Sequence, residues 1–451
     1  MSEHSVQFFD THAPLAQNQN IISPEEYKRY KTKRGLRNED GTGVLIGLTE
    51  IGDVHGYIID ELEKIPVEGR LTYRGIDVSG IVDGFQKDGR FGYEEVAYLL
   101  LFGELPSETE LSDFRTVLGE SRTLPNGFTE DMILRAPSSD IMNKLARSVL
   151  AAYSYDDKAE DLSVRNVLRQ SVELIARFPT MVAYGYQAKR HYYHNESLYI
   201  HAPEPELSTA ENLLQLVRPN RDYTKLEAET LDLALVLHAE HGGGNNSSFS
   251  VHVVSSAGTD SYSAISTACG SLKGPKHGGA SGRVATMMEA LMNGVGKWDD
   301  DEEIGNYLTR ILKKQAGDGS GLIYGMGHAV YTLSDPRAVL LKDKARELAA
   351  AKGYTEQLAL YERVEELTPR VLREVRGRTE PMSANVDFYS GLVYEMLNIP
   401  RDLYVPIFAV ARVAGWSAHR IEELVSGGRI MRPAYKNVLG RRDYVPMAER
   451  R

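Results

Sequence analysis

The stretch Thr224-Lys-Leu-Glu-Ala-Glu-Thr-Leu-Asp-Leu-Ala-Leu-Val-Leu-His238 is typical of a helix with a marked start. Apolar residues recur in it at helical spacing, and Thr224 with Glu227 matches a capping box. The same spacing recurs in residues 141–153, 164–186, 284–292, 304–314, 338–351 and 358–375. Strand patterns are confined to two early segments, residues 54–59 and 69–77. The sequence therefore predicts an all-α, mainly helical fold with a minor N-terminal β element.

Three glycine-rich breaks interrupt the helical pattern in the second half of the chain. They fall at residues 270–283, 317–328 and 377–391, and they bracket a run of helices. We interpret that run, residues 280–386, as a small mobile helical domain. Residues 1–279 with 387–451 would then form a large helical domain, with a cleft where the two meet.

The composition excludes several classes of function. The 451 residues carry a formal charge of -11, which argues against nucleic acid as the main partner. The one cysteine, Cys269, cannot form an intramolecular disulfide and is expected to be buried. The first ten residues lack a signal-peptide pattern, and the apolar runs are shorter than the ~20 residues of a membrane span. These features predict a cytoplasmic protein.

Each glycine-rich break holds one side chain that can transfer a proton. These are His277 in Gly-Pro-Lys-His-Gly-Gly, His328 in Gly-Met-Gly-His, and Asp387 in Asn-Val-Asp-Phe-Tyr-Ser-Gly. A carboxylate can remove a carbon-bound proton only if the enolate is stabilised as it forms, and His277 is the natural donor to that oxygen. His328 could then polarise or protonate the carbonyl that the enolate attacks. An isolated histidine is more often structural. The flanking glycines and the recurrence of the pattern make that interpretation weaker, but spacing alone does not decide between a structural and a catalytic role.

Arginines near this set suggest a substrate with more than one carboxylate, because guanidinium groups bind carboxylates bidentately. Arg337 follows a predicted helix start at Asp335-Pro336, and Arg412 lies alone among apolar neighbours. Arg432, taken by itself, has the pattern of a surface residue. His241 follows a helix that runs into glycines, and it is read either as a C-cap or, with His238, as a weak metal-binding pattern.

In this order, the motifs resemble those of the citrate synthase family. The resemblance covers about residues 70–433, and the motifs that carry it are Tyr73-Arg-Gly-Ile76, Leu237-His-Ala-Glu-His-Gly-Gly-Gly-Asn245, Gly274-Pro-Lys-His-Gly-Gly-Ala280, Gly325-Met-Gly-His-Ala-Val-Tyr331, Asp335-Pro-Arg337, Asn385-Val-Asp-Phe-Tyr-Ser-Gly391, Arg412 in Ala-Arg-Val-Ala-Gly-Trp and Arg432 in Arg-Ile-Met-Arg-Pro.

The resemblance implies a two-lobed, almost all-helical homodimer that acts as an acyltransferase of the citrate synthase type. It would condense acetyl-CoA with oxaloacetate and then hydrolyse citryl-CoA. Asp387 would deprotonate the acetyl methyl group, His277 would hold the enol oxygen, and His328 would activate the ketone. No permanently bound cofactor and no metal are expected, and acetyl-CoA serves as cosubstrate. The partners would be oxaloacetate, an acyl-CoA and a second copy of the chain, with neither nucleic acid nor membrane.

The resemblance also implies four substrate-binding residues. His241, Arg337 and Arg412 would bind the carboxylates of oxaloacetate, and Arg432 would arrive from the partner subunit. The contacts to CoA phosphate are not implied, because Thr332 stands where the family usually has a basic residue. Three basic residues near in sequence could supply the charge: Arg376, Arg378 and Lys436.

Other functions remain open at this stage. A 2-methylcitrate synthase would keep the same three catalytic residues and use propionyl-CoA, and the fold could also serve citryl-CoA cleavage. A metalloprotein could use His238, His241 and His277. A catalytically silent helical scaffold is disfavoured because it has no use for this trio.

Overall fold

The computed structural model describes residues 3–19, 21–38, 40–60 and 63–450. The chain divides into two compact units, one formed by Met1–Gly47 with Arg432–Arg451 and the other by Leu48–Met431. The first unit contains helices α1 (Glu3–Gln19) and α2 (Pro24–Arg29). No described helix combines the length and the apolar composition that crossing a membrane requires.

The second unit holds a small sheet and a series of helices. The strands are β1 (Gly52–Asp60), β2 (Glu63–Tyr73) and β3 (Ile76–Asp77). The helices are α3 (Val78–Lys87), α4 (Tyr93–Phe102), α5 (Glu108–Ser121), α6 (Ile141–Ala152), α7 (Val164–His194), α8 (Thr209–Val217), α9 (Lys225–His238), α10 (Asn246–Ser255), α11 (Ser261–Lys273), α12 (Ala280–Gly294), α13 (Asp301–Leu312), α14 (Pro336–Lys352), α15 (Thr355–Arg376), α16 (Val386–Met396) and α17 (Tyr404–Val425). The mainly helical fold with an early β element is confirmed.

Helix α17 lies at the centre of the second unit. It packs against α4, α7, α9, α10 and α11, and nearly all its residues from Tyr404 to Arg420 are buried. Its apolar composition on every face explains this central position. Arg412 therefore sits in the core, as its apolar neighbours in the sequence indicate.

Sequence signals explain where several helices begin. Thr224 and Glu227 form the predicted capping box of α9, and Asp335 caps α14 ahead of Pro336. The predicted burial of Cys269 is also observed. Helices α12 to α16 pack mainly among themselves, and α14 also contacts α9. The boundaries of a small domain at 280–386 stay a prediction.

The β hairpin approaches the segment that carries His328. Strands β1 and β2 pair antiparallel with Gly52 opposite Tyr73, and β3 extends the sheet on the β2 side. The backbone N–H of Gly69 donates to Ser334 Oγ at 3.1 Å. A side chain at Gly69 would overlap the carbonyl oxygen of Ser334, so glycine permits this contact.

Candidate active site

Backbone hydrogen bonds join the segments that carry His328 and Asp387. The N–H of Asn385 donates to the Gly325 carbonyl at 2.9 Å, and the N–H of Gly327 donates to the Ser383 carbonyl at 2.8 Å. The Asn385 side chain strengthens the link, since its Nδ2 donates to the Gly327 carbonyl at 2.9 Å. Its Oδ1 accepts the N–H of Asp387 at 3.0 Å and so caps α16.

Gly325 is required at this junction for two reasons. Its φ of 78° lies in the left-handed region that favours glycine. A Cβ atom there would lie 2.8 Å from side-chain atoms of both Phe388 and Val284. The tight packing of α16 against this turn therefore depends on the absence of a side chain.

Asp387 has an altered acidity. Burial is the largest cause that raises its pKa from the ordinary 3.8 to about 6, and the charge of Asp335 acts in the same direction. The charges of Arg337 and Arg412 oppose this rise. The carboxyl group is thus ionised near neutral pH while being a stronger base than a solvated aspartate.

His328 is held in one tautomer. Its Nδ1 accepts backbone N–H groups from Val330 at 3.1 Å and Tyr331 at 3.2 Å. The neutral ring must therefore carry its hydrogen on Nε2, which leaves that atom as a donor. The ring stacks on Tyr331 with centroids 4.8 Å apart and meets the edge of His241 at 5.2 Å.

His277 is neutral at physiological pH. Burial, with a smaller contribution from the Arg412 charge, lowers its pKa to about 4. Its Nε2 lies 3.0 Å from Ser247 Oγ, which accepts the indole N–H of Trp416 at 3.1 Å. The Ser247 hydroxyl hydrogen can go to His277 or to Asn245 Oδ1, which lies 3.0 Å away. In the first arrangement, His277 carries its ring hydrogen on Nδ1 and can donate from that atom.

Arg337 is a buried cation with a bidentate partner. Its Nε and Nη2 donate to the two carboxylate oxygens of Asp335 at 3.0 and 2.7 Å. Burial alone would lower the pKa of Arg337, but Asp335 outweighs it and raises the value. Asp335 also accepts the N–H of Val386 at 3.2 Å, so the pair links the starts of α14 and α16.

Arg412 is buried with part of its guanidinium group unpaired. Its Nε donates to the His238 carbonyl at 2.6 Å, and the group stacks over Phe408 at 4.7 Å. Nη1 and Nη2 are buried and find no hydrogen-bond acceptor among the residues that the structure describes. Burial lowers the pKa of Arg412 to about 10, so the group remains charged at neutral pH. Two charged donor atoms are thus open to an anion.

His241 lies next to these groups. Burial lowers its pKa well below the ordinary range, and the charges of Arg337, His328, Arg412 and His277 contribute in the same direction. Its Nε2 is buried without a hydrogen-bond partner within the described ranges. The structure thus brings His241, Arg337 and Arg412 together with the three predicted catalytic residues, within range of one another's charges.

His238 and His241 do not lie on one face of a helix, as the metal-binding pattern assumed. Helix α9 ends at His238, so His241 lies in the glycine turn beyond it. His238 is fully buried and stacks on Phe408 at 4.3 Å. Among the described residues, a group with metal-ligand spacing occurs elsewhere, at His252, His419 and Glu422.

Arg432 belongs to the other compact unit, where it is exposed. Its predicted role in the partner's site stays a prediction. The sequence analysis missed Ser247, whose hydroxyl contacts His277, and the role of Trp416 behind it. Trp416 lies inside a quoted motif and Ser247 two residues after one, but only the fold brings together residues 30 and 169 positions apart.

A cavity of about 390 Å³ adjoins the loops of His277 and His328. It is lined by Gly279 and Arg283 at the start of α12 and by Asp318, Leu322 and Tyr324 before Gly325. The Arg283 guanidinium lies 5.5 Å from the Tyr324 ring centre. The cavity thus offers an aromatic face and the positive charge of Arg283, with the Asp318 carboxylate nearby.

The fold and the site together define a mainly helical protein with an anion-binding pocket and acid–base side chains. The family model "Citrate synthase, C-terminal domain" matches residues 40–434. The citrate synthase of Synechocystis sp. is 35% identical over 385 residues, which is 85% of this chain and 89% of that protein. The 2-methylcitrate synthase 1 of Corynebacterium glutamicum is 31% identical over 404 residues, 88% of this chain and 97% of that one.

A solved structure is also similar to the chain. The citrate synthase of Thermoplasma acidophilum, in a ternary complex with carboxymethyl coenzyme A and oxaloacetate, superposes with a TM-score of 0.74 at 26% identity, covering 93% of this chain and 99% of that one. The chain belongs to the citrate synthase family, and the resemblance seen in its motifs is confirmed.

Proposed function

We propose that this chain is a citrate synthase that converts acetyl-CoA, oxaloacetate and water to citrate and CoA. The observation that carries the proposal is the Arg412 guanidinium, buried with two open donor atoms beside Arg337 and neutral His241. Such a pocket suits a small dicarboxylate, and Asp387 and His277 lie within reach of the same charges.

The first step is enolisation of the acyl group. The Asp387 carboxylate removes a proton from the methyl carbon of acetyl-CoA, and the C–H electrons form the carbon–carbon double bond of the enolate. The thioester oxygen gains charge, and neutral His277 stabilises it by donating a hydrogen bond from Nδ1. The raised pKa of Asp387 suits it to this task, since a basic carboxylate gains more from taking the proton.

The second step forms the new carbon–carbon bond. The enolate carbon attacks the ketone carbon of oxaloacetate, and the electrons of the C=O double bond move to the ketone oxygen. That oxygen accepts a hydrogen bond and then a proton, which balances the proton that Asp387 took from the methyl group. His328 fits this role because its Nδ1 is occupied by backbone N–H groups and Nε2 must donate. Water then attacks the thioester of citryl-CoA, the C–S bond breaks, and CoA leaves as a thiol. This hydrolysis makes the overall reaction irreversible.

Arg337, Arg412 and His241 would bind the carboxylates of oxaloacetate, with Arg432 from a second subunit completing the pocket. The proposed homodimer is supported by the terminal unit, which exposes large apolar side chains of the kind that interfaces bury. The most exposed are Leu45, Tyr435, Tyr444 and Met447.

The acyl-CoA is proposed to use the cavity beside Arg283 and Tyr324, where a charge could meet a CoA phosphate. Two of the three basic residues suggested by sequence proximity are less suited. Arg376 Nη2 donates to the carbonyls of Leu312 and Gly321, and Arg378 lies 3.7 Å from Glu380. Thr332, which replaces the usual basic residue, has no charge to offer.

A 2-methylcitrate synthase is the second candidate, because relatives of nearly equal identity carry that name. One methylene is worth only about 1–3 kcal/mol in a pocket, so both acyl-CoA substrates could turn over. A cytoplasmic location and a reaction without metal remain predictions.

The decisive experiment is CoA thiol release from oxaloacetate with acetyl-CoA or propionyl-CoA, in the presence of EDTA. Oxaloacetate-dependent release with an acetyl preference is expected. A propionyl preference would identify the 2-methylcitrate reaction with the same catalytic residues. No release from either would contradict the proposal, and citryl-CoA would then be tested as substrate.

A further inference from the structure

A second cluster of ionisable side chains lies between α10 and α17. His252 on α10 and His419 and Glu422 on α17 each offer one ligand atom, and these atoms lie within 4.8 Å of one another. His419 is fully buried and His252 nearly so. The proposed reaction uses none of these side chains.

Both histidines are oriented by carboxylates on their outer nitrogens. His252 Nδ1 lies 2.8 Å from Glu423 Oε2, and His419 Nε2 lies 3.0 Å from Glu240 Oε1. A carboxylate that accepts from the outer nitrogen of an imidazole is the usual support of a metal-bound histidine, since it fixes the ring and its tautomer.

The inner nitrogens of the two rings then face each other. His252 Nε2 and His419 Nδ1 lie 3.1 Å apart. In each neutral ring the hydrogen is on the outer nitrogen, which donates it to the carboxylate. Two neutral rings would therefore direct two lone pairs at each other. Glu422 Oε2 adds a third electron-pair donor 3.6 Å from His419 Nδ1, and it has no hydrogen-bond partner within the described residues.

The surroundings favour a positive charge at this point. The carboxylates of Glu240 and Glu422 lie 3.0 and 3.6 Å from the two ring nitrogens of His419. The spacings of 3.1 and 3.6 Å straddle the roughly 3.3 Å between ligands of a tetrahedral zinc ion.

We propose that His252 Nε2, His419 Nδ1 and Glu422 Oε2 bind one divalent cation of the zinc type, with water as fourth ligand. The cation would bind between the two facing lone pairs and tie α10 to α17. Glu240, which accepts the N–H of Gly242, would transmit this constraint to the turn that carries His241. The site is independent of the proposed reaction and departs from the expectation that the chain binds no metal.

The test is a Co²⁺ titration of the full-length protein after removal of metals with a chelator. One Co²⁺ per chain is expected, with the visible absorption bands of four-coordinate cobalt, and Zn²⁺ should displace it. A flat titration, or a spectrum typical of six-coordinate cobalt, would overturn the proposal.

Substitutions of the proposed ligands test where the ion binds. His252→Gln and Glu422→Gln should each weaken Co²⁺ binding at least tenfold, whereas His241→Gln should leave it unchanged. Glu422→Gln is the safer variant, because the amide oxygen can still accept the Glu50 N–H that Glu422 Oε1 accepts at 2.7 Å. Binding that persists in Glu422→Gln, or that disappears in His241→Gln, would refute the assignment.

Discussion

The acidity of Asp387 gives the proposed reaction a defined pH dependence. With a pKa near 6, the carboxylate is lost below that pH, so kcat/KM should fall about tenfold per pH unit on the acid side. Asp387→Asn should abolish CoA release while leaving oxaloacetate binding largely intact, as measured by calorimetry. A variant with near-normal turnover would remove Asp387 from the mechanism.

The raised pKa of Asp387 also predicts how the stability of the protein changes with pH. High pH should favour activity but lower stability. Because this pKa is raised on folding, the folded state binds more protons than the unfolded chain between about pH 4 and 6. Wild-type stability therefore falls as pH rises through that window, and Asp387→Asn escapes the loss. The variant should have a higher Tm than wild type at pH 7 and a similar one near pH 4.

Arg412 and Arg337 should respond differently to removal of their charge. Arg412→Leu loses one hydrogen bond, worth about 1 kcal/mol, and deletes two unpaired buried donors. Arg337→Leu leaves the Asp335 carboxylate buried with backbone N–H donors but without its cationic partner, at a cost of about 3–5 kcal/mol.

We therefore expect Arg412→Leu to bind oxaloacetate more weakly at nearly unchanged Tm. Arg337→Leu should have both a lower oxaloacetate affinity and a lower Tm. Calorimetric titration with oxaloacetate and thermal melts separate the two effects. Unchanged oxaloacetate affinity in a folded Arg412→Leu protein would contradict the carboxylate role.

Arg283 provides a test of the acyl-CoA side. Arg283→Ala should raise the KM for acyl-CoA several-fold without changing the affinity for oxaloacetate. The Arg283 charge lies in the cavity proposed for acyl-CoA, and not beside Arg337 and Arg412. Arg378→Ala is the matched control, since that arginine is also exposed to solvent and lies near Glu380. An equal effect of both variants would point to general charge rather than to this cavity.

At the level of single residues, the sequence could indicate candidate catalytic side chains but not their protonation. His277, His328 and Asp387 stand in recognisable glycine-rich motifs. The tautomer of His328 depends on the N–H groups of Val330 and Tyr331, and that of His277 depends on Ser247. Those contacts come from turn geometry and packing, which residue spacing does not encode.

Among the structural elements, the Asn385 junction sets the alignment of His328 with Asp387. Asn385→Ser keeps a good N-cap for α16 but is too short to reach the Gly327 carbonyl. Asn385→Ala loses the cap as well, which costs about 1 kcal/mol. We expect kcat to fall in both variants, and Tm to fall mainly in Asn385→Ala.

The comparison of kcat with Tm in these two variants separates positioning from stability. If Asn385→Ser retained wild-type kcat, the side-chain bond to Gly327 would have no part in alignment. Restoration of kcat by Asn385→Gln would indicate that amide donation, rather than the cap, is what matters.

Helices were easier to predict than their contacts. The 3.6-residue period marks α6, α7, α9 and α12 to α15 directly, because each has an apolar face. The approach of the hairpin to Ser334 was not predictable, because it depends on a contact across 265 residues. Helix α17, apolar on all sides, gives no face preference, and only the structure shows Arg412 directed at the site.

For the whole molecule, the proposed role of Arg432 bears on whether one chain can form a complete site. The residue is exposed in the terminal unit, whose apolar side chains are exposed as well. In a two-fold dimer, each subunit can lend its Arg432 to the other's pocket. Asp387→Asn chains should be inactive alone because they lack the proposed base. Arg432→Leu chains should be inactive alone because they lack the proposed carboxylate ligand.

Mixed dimers of these two variants should regain activity. If Arg432 acts in trans, one site of each mixed dimer carries both substitutions and the other carries neither. Random reassortment after joint refolding should then restore about a quarter of wild-type CoA release. If Arg432 acts within its own chain, every site contains one lesion and the mixture stays inactive. Light scattering on each variant supplies the control, since both must assemble with the wild-type mass for the comparison to count.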